Sequence, residues 1–449
     1  MQATLNHLKM KKKQSLKRSN AFWKKAKKIV HAGVPLLSKK PERFLQENWP
    51  SYFKKAKGIK VTDLDGNSYL DFSYMGVGPN LLGYSDSDVN RAVKRVIDEG
   101  NQSTLNSPEE VLLAEELLTL HHWADQVRYA RTGGEMVATA IRIARAHTGK
   151  DTIALCGYHG WHDWYLATNL AKTKNLDGHL LTGLQPLGVP RVLRGSAFPF
   201  TYNRIDELEV LVKKHKIGVI VMEPMRHREP EKRFLKKVRV IADKVGAVLI
   251  FDEISSGFRL GFPGAHARFN VIPDMVVYSK AISNGFPMAV LVGKRSVMKE
   301  ADASFISSTY HSERIGPTAA LATLKKMKRV QIDHYVNKMG WRIGAIWKNL
   351  AKKHNLPLLV EGPGAFINFS FNHPDDSTLR ALFTQEMLAR GYLATATVYV
   401  SYAHKTKHLT AYAKVVDIVF ETIKDAIHLD DAKRRLKGGL PESGFKRLT

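Results

Sequence analysis

The chain has 449 residues, of which 44% are hydrophobic and 25% charged, as in ordinary soluble globular proteins. This length exceeds what one hydrophobic core usually serves, so we expect two domains. No apolar run reaches the roughly 18–20 residues that span a bilayer. The Lys-rich start also lacks the apolar segment of a secretory signal. These features argue against a membrane-spanning or secreted protein and predict a cytoplasmic one.

The net charge is +27, and residues 1–60 carry seventeen Lys/Arg against Glu42 and Glu47. Such an excess of positive charge favours the binding of polyanions such as nucleic acids. No sequence signature of a nucleic-acid module accompanies it, so we expect a solvated basic surface. A basic nucleic-acid-binding protein on an inactive enzyme fold stays as a remote alternative. Cys156 is the only cysteine, so no intrachain disulfide can form, which fits a reducing compartment.

The predicted elements begin with a hairpin over residues 59–72, where Asp65-Gly66 separates two alternating apolar runs. Apolar runs without polar alternation then indicate strands buried on both faces, hence a parallel sheet covered by helices. The predicted strands are 127–131, 152–156, 217–223, 247–253, 275–278 and 288–292. The predicted helices are 21–30, 88–99, 108–120, 135–147, 205–215 and 232–245.

From about residue 320 the pattern changes to long helices, with a strand at 365–371 and a closing helix at 409–427. We therefore predict an α/β protein with a large domain over residues 86–325. A smaller α+β domain over residues 326–449 follows it. Residues 1–85 are expected to pack with this smaller domain.

Two segments at predicted strand ends suggest a site, because ligands of open α/β sheets gather at that edge. Thr132, Gly133 and Gly134 precede a helix, where glycines and helix N–H groups can hold an anion such as phosphate. Tyr158 follows the strand at 152–156 and can offer its ring to a planar ligand. His159 and His162 do not predict a metal site, since no carboxylate or thiolate set at zinc spacing accompanies them.

Two charged residues complete the set. Asp252 ends a buried strand, where a carboxylate is costly unless it meets a positive partner. A protonated pyridine nitrogen would be such a partner, and the ion pair would make the ring a better electron sink. Lys280 follows another strand, and a desolvated lysine forms Schiff bases with carbonyls. The ordered set therefore predicts a pyridoxal 5′-phosphate site.

The chain resembles the class III aminotransferases that use pyridoxal phosphate, of fold type I, from about residue 20 to 427. Within them it is most similar to the glutamate-1-semialdehyde aminomutase-like branch. The resemblance implies a mostly parallel seven-stranded sheet in the large domain. It rests on five segments taken in order, which are 131–145, 158–160, 223–224, 252–259 and 273–280.

The resemblance also implies roles around the cofactor ring. Lys280 would hold the cofactor as a Schiff base and move the proton, and Asp252 would pair with the pyridine nitrogen. Tyr158 would stack on one face of the ring, with Ile254 against the other. Glu223 would belong to the shell of the site.

Other residues are implied at the phosphate and at its periphery. Thr132, Gly133 and Gly134 would bind the phosphate, and His159 would belong to the cofactor site. Thr309 matches a threonine that reaches the phosphate of the neighbouring subunit, which implies a homodimer.

The chain also departs from the family pattern. The family often has Ser-Gly-Thr where this chain has Thr132, Gly133 and Gly134, so one side-chain contact to the phosphate is expected to be missing. Aminomutases carry an N-terminal arginine for the substrate carboxylate, whereas residues 34–38 of this chain contain none. Residues 310–314 also differ from the usual sequence after the threonine.

The leading functional hypothesis is amino-group transfer from a donor such as glutamate to a keto or aldehyde acceptor. The basic surface and the missing arginine favour an anionic or sugar-linked acceptor. An intramolecular aminomutase, which needs no separate donor, is the enzymatic alternative.

Overall fold

The computed structural model describes residues 15–46, 48–172, 174–177 and 184–442. It divides into two compact units: one takes in the residues up to Asp86 and from Tyr335 onwards, and the other Ser87–His334. Within the described ranges, no helix is both long enough and apolar enough to cross a membrane.

The unit Ser87–His334 is built on a seven-stranded sheet in which four of the six neighbouring pairs are parallel. The predicted fold class is therefore confirmed. The strand order is Gln126–Ala130, Ala289–Gly293, Met275–Tyr278, Val248–Asp252, Ile217–Met222, Thr152–Cys156 and Ala197–Pro199. The central strands Ile217–Met222 and Val248–Asp252 are buried along their whole length, which explains their lack of polar alternation.

Helices of this unit supply much of its core, as the first turns of Gly133–Thr148 show with Met136, Val137 and Ala140 fully buried. The helices of eight residues or more are Ser87–Glu99, Pro108–Leu120, Gly133–Thr148, Ile205–Lys214, Phe234–Val245 and Ile315–Arg329. The shorter ones are Asp163–Leu166, Thr168–Ala171, Ala265–Arg268 and Arg295–Met298. Short 3₁₀ turns lie at Arg191–Leu193, Lys280–Ser283, Lys299–Ala301 and Thr309–Ser312.

Two features of this unit differ from the predictions. The edge strand Ala197–Pro199 was not expected, since it has only three residues and ends in a proline. The predicted helix at 135–147 begins earlier, at Gly133, because Thr132 takes the N-cap position and Glu135 accepts a hydrogen bond from the Thr132 N–H at 3.4 Å.

The other unit contains two smaller sheets. Its four-stranded sheet has the order Phe53–Lys57, Lys60–Asp63, Ser68–Phe72 and Tyr392–Ala394. Its three-stranded antiparallel sheet has the order Leu358–Glu361, Phe366–Phe371 and Thr397–Tyr399. The predicted hairpin at 59–72 is present as the antiparallel strands Lys60–Asp63 and Ser68–Phe72.

Helices complete this unit, and one of them packs with its backbone directly against the backbone of a loop. The helices are Lys17–Ile29, Ile332–Lys353, Asp376–Ala389, Thr406–His428 and Ala432–Arg435, with 3₁₀ turns at His31–Gly33, Leu37–Lys39 and Pro41–Arg43. Gly340 faces the backbone of Gly364, and a Cβ at Gly340 would overlap the Gly364 carbonyl oxygen. Backbone therefore packs on backbone here, and a glycine is required.

We expect Gly340→Ala to destabilise the protein by about 1–3 kcal/mol or more, because the new methyl meets a carbonyl that cannot rotate away. Gly344→Ala is the matched control one turn later on the same helix. Its Cβ would lie 3.3 Å from side-chain carbons of Ile367 and Val360, which can shift. Urea unfolding of both variants measures the difference. Equal stability of the two variants would contradict this account.

Candidate active site

The sheet of the unit Ser87–His334 brings the predicted site segments to one edge. Cys156 pairs with Met222 and Met222 with Phe251, so these three parallel strands end at the same level. Asp252 is the last residue of one of them, and Tyr158 and Glu223 follow the other two. Asp252 itself pairs with Val277, three residues before Lys280.

The segment that starts at Thr132 reaches the same edge by another route. The strand Gln126–Ala130 is antiparallel to Ala289–Gly293, which is antiparallel to Met275–Tyr278, so the first and last of these run the same way. The helix that begins at Gly133 therefore starts at this edge. The predicted residues at the ends of five strands converge because these strands run the same way and their carboxyl ends meet at one edge.

Asp252 is the last residue of its strand at this edge and has 2% of its surface exposed. Its Oδ2 is 2.8 Å from Nδ1 of His159, and its Oδ1 accepts a hydrogen bond from the Ile254 N–H at 3.0 Å. The other ring nitrogen of His159 is 3.2 Å from the carbonyl oxygen of Cys156. A neutral ring can donate to one of these two oxygens, and a second ring proton would let it donate to both. The buried carboxylate thus has a partner that can carry positive charge.

Lys280 opens a 3₁₀ turn with a φ of 49°, in the left-handed region that long side chains rarely adopt. Backbone in such a conformation is held only where the surroundings impose it, and it concentrates at functional sites. Its Nζ donates a hydrogen bond to Oγ of Ser255 at 2.8 Å. The amine is therefore fixed in direction by a neutral hydroxyl.

Ser255 connects Lys280 to a buried ion pair. Arg226 donates to Ser255 Oγ at 3.1 Å, and its guanidinium lies 3.0 Å from the Glu223 carboxylate. The side chains of Arg226 and Glu223 are 2% and 6% exposed. At that depth the attraction between the two charges is weakly screened, so the pair is a rigid support.

Tyr158 is half-buried beside the same pair. Its N–H donates to Oε2 of Glu223 at 3.2 Å, and its ring packs edge-on against Tyr165 with centroids 5.9 Å apart. Gly157, with a φ of 114°, provides the turn: a Cβ there would lie 2.7 Å from Oε2 of Glu223. Glu223 thus fixes the direction in which the chain leaves the strand Thr152–Cys156.

Gly133 and Gly134 form the start of the helix Gly133–Thr148 with no room for side chains. A Cβ on Gly133 would lie 2.6 Å from Cδ1 of Ile254, and one on Gly134 would lie 3.0 Å from Cε1 of His162. The N–H groups of a first helical turn have no intrahelical partner and carry the positive end of the dipole. The arrangement is a cradle for an anion.

Thr309 is exposed, and its carbonyl oxygen accepts a hydrogen bond from Nε2 of Gln102 at 2.9 Å. The turn Thr309–Ser312 is tied to the helix that starts at Gly133. Nε2 of His311 lies 2.9 Å from Oε1 of Glu135. Burial raises the pKa of the Glu135 carboxyl, but the interactions with His311 and the backbone hydrogen bonds from Arg131 and Thr132 together outweigh this, so the net pKa is lowered.

Glu253 turns away from Asp252 into a second buried network. Its Oε1 accepts a hydrogen bond from the backbone N–H of His266 and lies 2.9 Å from Nδ1 of the same residue. Its Oε2 accepts a hydrogen bond from the hydroxyl of Ser256 at 2.5 Å. Burial raises the pKa of the Glu253 carboxyl, yet the bonds with His266 leave the net pKa lowered. The adjacent carboxylates of Asp252 and Glu253 therefore belong to two separate hydrogen-bond networks.

The sequence did not single out Ser255 or Arg226. Their weak signal was a polar or basic residue three or four residues after the end of a buried strand, at the edge where Asp252 and Glu223 lie. The side-chain contact between Arg226 and Ser255 spans 29 residues and depends on the pairing of two strands, which a single sequence does not reveal.

The chain is similar to known proteins over most of its length. The family model described as Aminotransferase class-III matches residues 45–427. A 3-aminobutyryl-CoA aminotransferase from Cloacimonas acidaminovorans (strain Evry) is 31% identical over 386 residues, which cover 84% of this chain and 89% of that protein. A glutamate-1-semialdehyde 2,1-aminomutase from Ignicoccus hospitalis is 31% identical over 338 residues, which cover 73% and 77%.

A solved structure of the PLP internal aldimine form of the FumI protein from Sphingopyxis sp. MTA144 superposes with a TM-score of 0.83. It covers 92% of this chain and 97% of its own, with 23% sequence identity. This likeness establishes a shared fold.

We expect Arg226→Leu to destabilise the protein by about 3–5 kcal/mol, because it leaves the Glu223 carboxylate buried without its cation. Arg228→Leu, at an exposed position two residues later, should change stability by less than about 0.5 kcal/mol. Adding Glu223→Gln to Arg226→Leu should recover part of the loss, since the unpaired charge is removed. Urea unfolding measures all four proteins, and an Arg226→Leu variant as stable as Arg228→Leu would refute the interpretation.

Proposed function

The chain belongs to the class III aminotransferase family, and we propose that it moves an amino group from a donor, glutamate in the first instance, to a keto or aldehyde acceptor. It is a transaminase-type enzyme, and its cofactor is pyridoxal 5′-phosphate. The observation that carries the proposal is the position of Lys280. Its amine lies at the sheet edge where the buried carboxylate of Asp252 ends the neighbouring strand.

The residues present fit this cofactor. A primary amine held by Ser255, a buried carboxylate at Asp252 and a glycine cradle at a helix start are the three groups that an aldehyde, a pyridine nitrogen and a phosphate require. When bound, pyridoxal phosphate supplies an electron sink for charge that develops on the substrate carbon.

We assign Lys280 two tasks: it holds the cofactor, and when released it carries a proton at Nζ between two carbon atoms. Ser255 accepts a hydrogen bond from Nζ of Lys280 and thereby orients the amine of the lysine. Arg226 and Glu223 keep Ser255 in place.

Asp252 would accept a hydrogen bond from the pyridine nitrogen, and His159 orients the carboxylate through the 2.8 Å contact with Oδ2. Tyr158 and Ile254 are proposed to enclose the ring from its two faces. In a site from which water is excluded, a fixed carboxylate stabilises the positive ring more than it would in solvent.

Thr132, Gly133 and Gly134 are proposed to bind the phosphate. We further propose a homodimer in which Thr309 reaches the phosphate of the partner subunit. The exposure of Thr309 supports this.

The acceptor is the finer part of the proposal. The net charge of +27 favours an acceptor carried on an anionic or sugar-linked group. The Cloacimonas relative is named for a coenzyme A derivative, which points in the same direction. Residues 34–38 contain no arginine for a simple substrate carboxylate.

Purified protein with the cofactor should show a visible absorption band, and glutamate should convert it to the amine form. We expect Lys280→Ala to lose the band and to reduce amino transfer by at least about 10²–10⁴-fold, the usual contribution of a positioned proton carrier. Lys299→Ala, at an exposed position, is the matched control and should retain both. A protein that gains no band with added cofactor would refute the proposal.

An intramolecular aminomutase is the second candidate, favoured by the 31% identity to the Ignicoccus enzyme. The absence of arginine at residues 34–38 weighs against it. Turnover of carbonyl acceptors with and without glutamate separates the two. We expect turnover to need the donor; product formed at the same rate without glutamate would favour the aminomutase.

A further inference from the structure

The loop after the strand Thr152–Cys156 lies against the start of the helix Gly133–Thr148. Its His162 side chain lies beside Gly134, which has no side chain of its own. A Cβ on Gly134 would lie 3.0 Å from Cε1 and 3.2 Å from Nδ1 of His162. Gly160, with a φ of 104°, lets the two backbones approach, since its own Cβ would lie 3.1 Å from Cα of Gly134. The ring of His162 therefore occupies the volume that a side chain at position 134 would take.

Nδ1 of His162 is buried and has no hydrogen-bond partner in the described part of the chain. Buried polar atoms are nearly always hydrogen-bonded, so an unpaired one needs a physical reason. The ring is held in position: it stacks on Trp161 with centroids 4.6 Å apart. The carbonyl oxygen of His162 accepts a hydrogen bond from the Tyr165 N–H at 2.9 Å. A fixed ring with an unpaired nitrogen beside a helix start points to a ligand.

The imidazole of His162 can donate a hydrogen bond to an anion even when it is neutral. Burial lowers the pKa of His162, while Glu135 and Asp163 act against that shift. A neutral imidazole carries one N–H, and the tautomer protonated at Nδ1 presents a donor beside the N–H groups of Gly133 and Gly134. Donors and the positive end of a helix dipole together are the features that bind phosphate. A packing role alone would leave the buried nitrogen unpaired, at a cost of about 1–3 kcal/mol.

We propose that His162 donates a hydrogen bond from Nδ1 to the phosphate of pyridoxal 5′-phosphate, in place of a side chain on residue 134. The inference rests on the proposed function, because it takes the helix start at Gly133 as the phosphate site. It adds a residue to that site and makes Gly134 and His162 a matched pair: the missing Cβ of one makes room for the ring of the other.

The test compares cofactor binding with and without the phosphate. Apoprotein is titrated with pyridoxal 5′-phosphate and, separately, with pyridoxal, and the visible band gives each Kd. We expect His162→Leu to raise the Kd of pyridoxal 5′-phosphate about 10- to 100-fold, as for a lost hydrogen bond to a charged group, with the Kd of pyridoxal unchanged. His162→Asn keeps an N–H close to the position of Nδ1 and should retain most of the affinity.

A side-chain exchange provides the second arm. Gly134→Thr combined with His162→Ala moves the donor onto the helix, and we expect it to recover the affinity for pyridoxal 5′-phosphate that His162→Ala loses. Gly134→Thr alone should weaken binding, because the threonine meets the histidine ring. If His162→Leu does not fold, the comparison of His162→Asn with His162→Ala gives the same answer.

The outcomes separate this inference from the proposed function. No band with either ligand in the wild-type protein would refute the proposed function itself. Normal bands with a ratio of the two Kd values that His162→Leu or His162→Ala leaves unchanged would refute only the role of His162. Equal loss of both affinities would show a structural role and would also refute it. Inorganic phosphate should compete with pyridoxal 5′-phosphate in the wild type and less well in His162→Leu.

Discussion

The site depends on one carboxylate placed where water cannot reach it. Asp252 ends a strand of which every residue is buried, and a buried anion is costly unless positive charge or donors meet it. His159 and the Ile254 N–H meet it on one side, and the sheet register brings Lys280 to the same edge. The orientation of the neighbouring loops follows from this requirement. The loop after Cys156 must return His159 to the carboxylate, and this in turn sets the position of Tyr158 beside Glu223.

Close approach of backbone is the second constraint on the site. Gly133 lies against Ile254, Gly134 against His162, and Gly157 against Glu223, and in each case a Cβ would meet a side chain at 3.0 Å or less. The glycines therefore let four strand ends share a small volume, and a larger residue at any of them would displace the side chain that it faces.

Much of this could be predicted from the sequence, and the reason is the strength of particular signals. Apolar runs such as residues 219–222 and 248–251 predicted buried parallel strands, and the chemistry-bearing residues follow such runs directly. Asp252 and Lys280 were recognisable because a charge after a buried strand is unusual. The edge strand Ala197–Pro199 was too short to give a pattern. The contacts of Arg226 with Ser255 and of His162 with Gly134 join residues whose distance is set by strand register and loop path, so no local pattern records them.

The net charge of +27 describes the outside of the protein better than its site. The buried carboxylates of the site unit meet cationic or protonatable groups: Asp252 meets His159, Glu223 meets Arg226, and Glu253 meets His266. Pairing of this kind is required in a low dielectric, whatever the surface carries. Lys280 also donates a hydrogen bond from Nζ to the hydroxyl of Ser255. A hydroxyl accepts this hydrogen bond without adding a charge of its own, so Ser255 fixes the direction of Nζ without itself favouring the protonated amine.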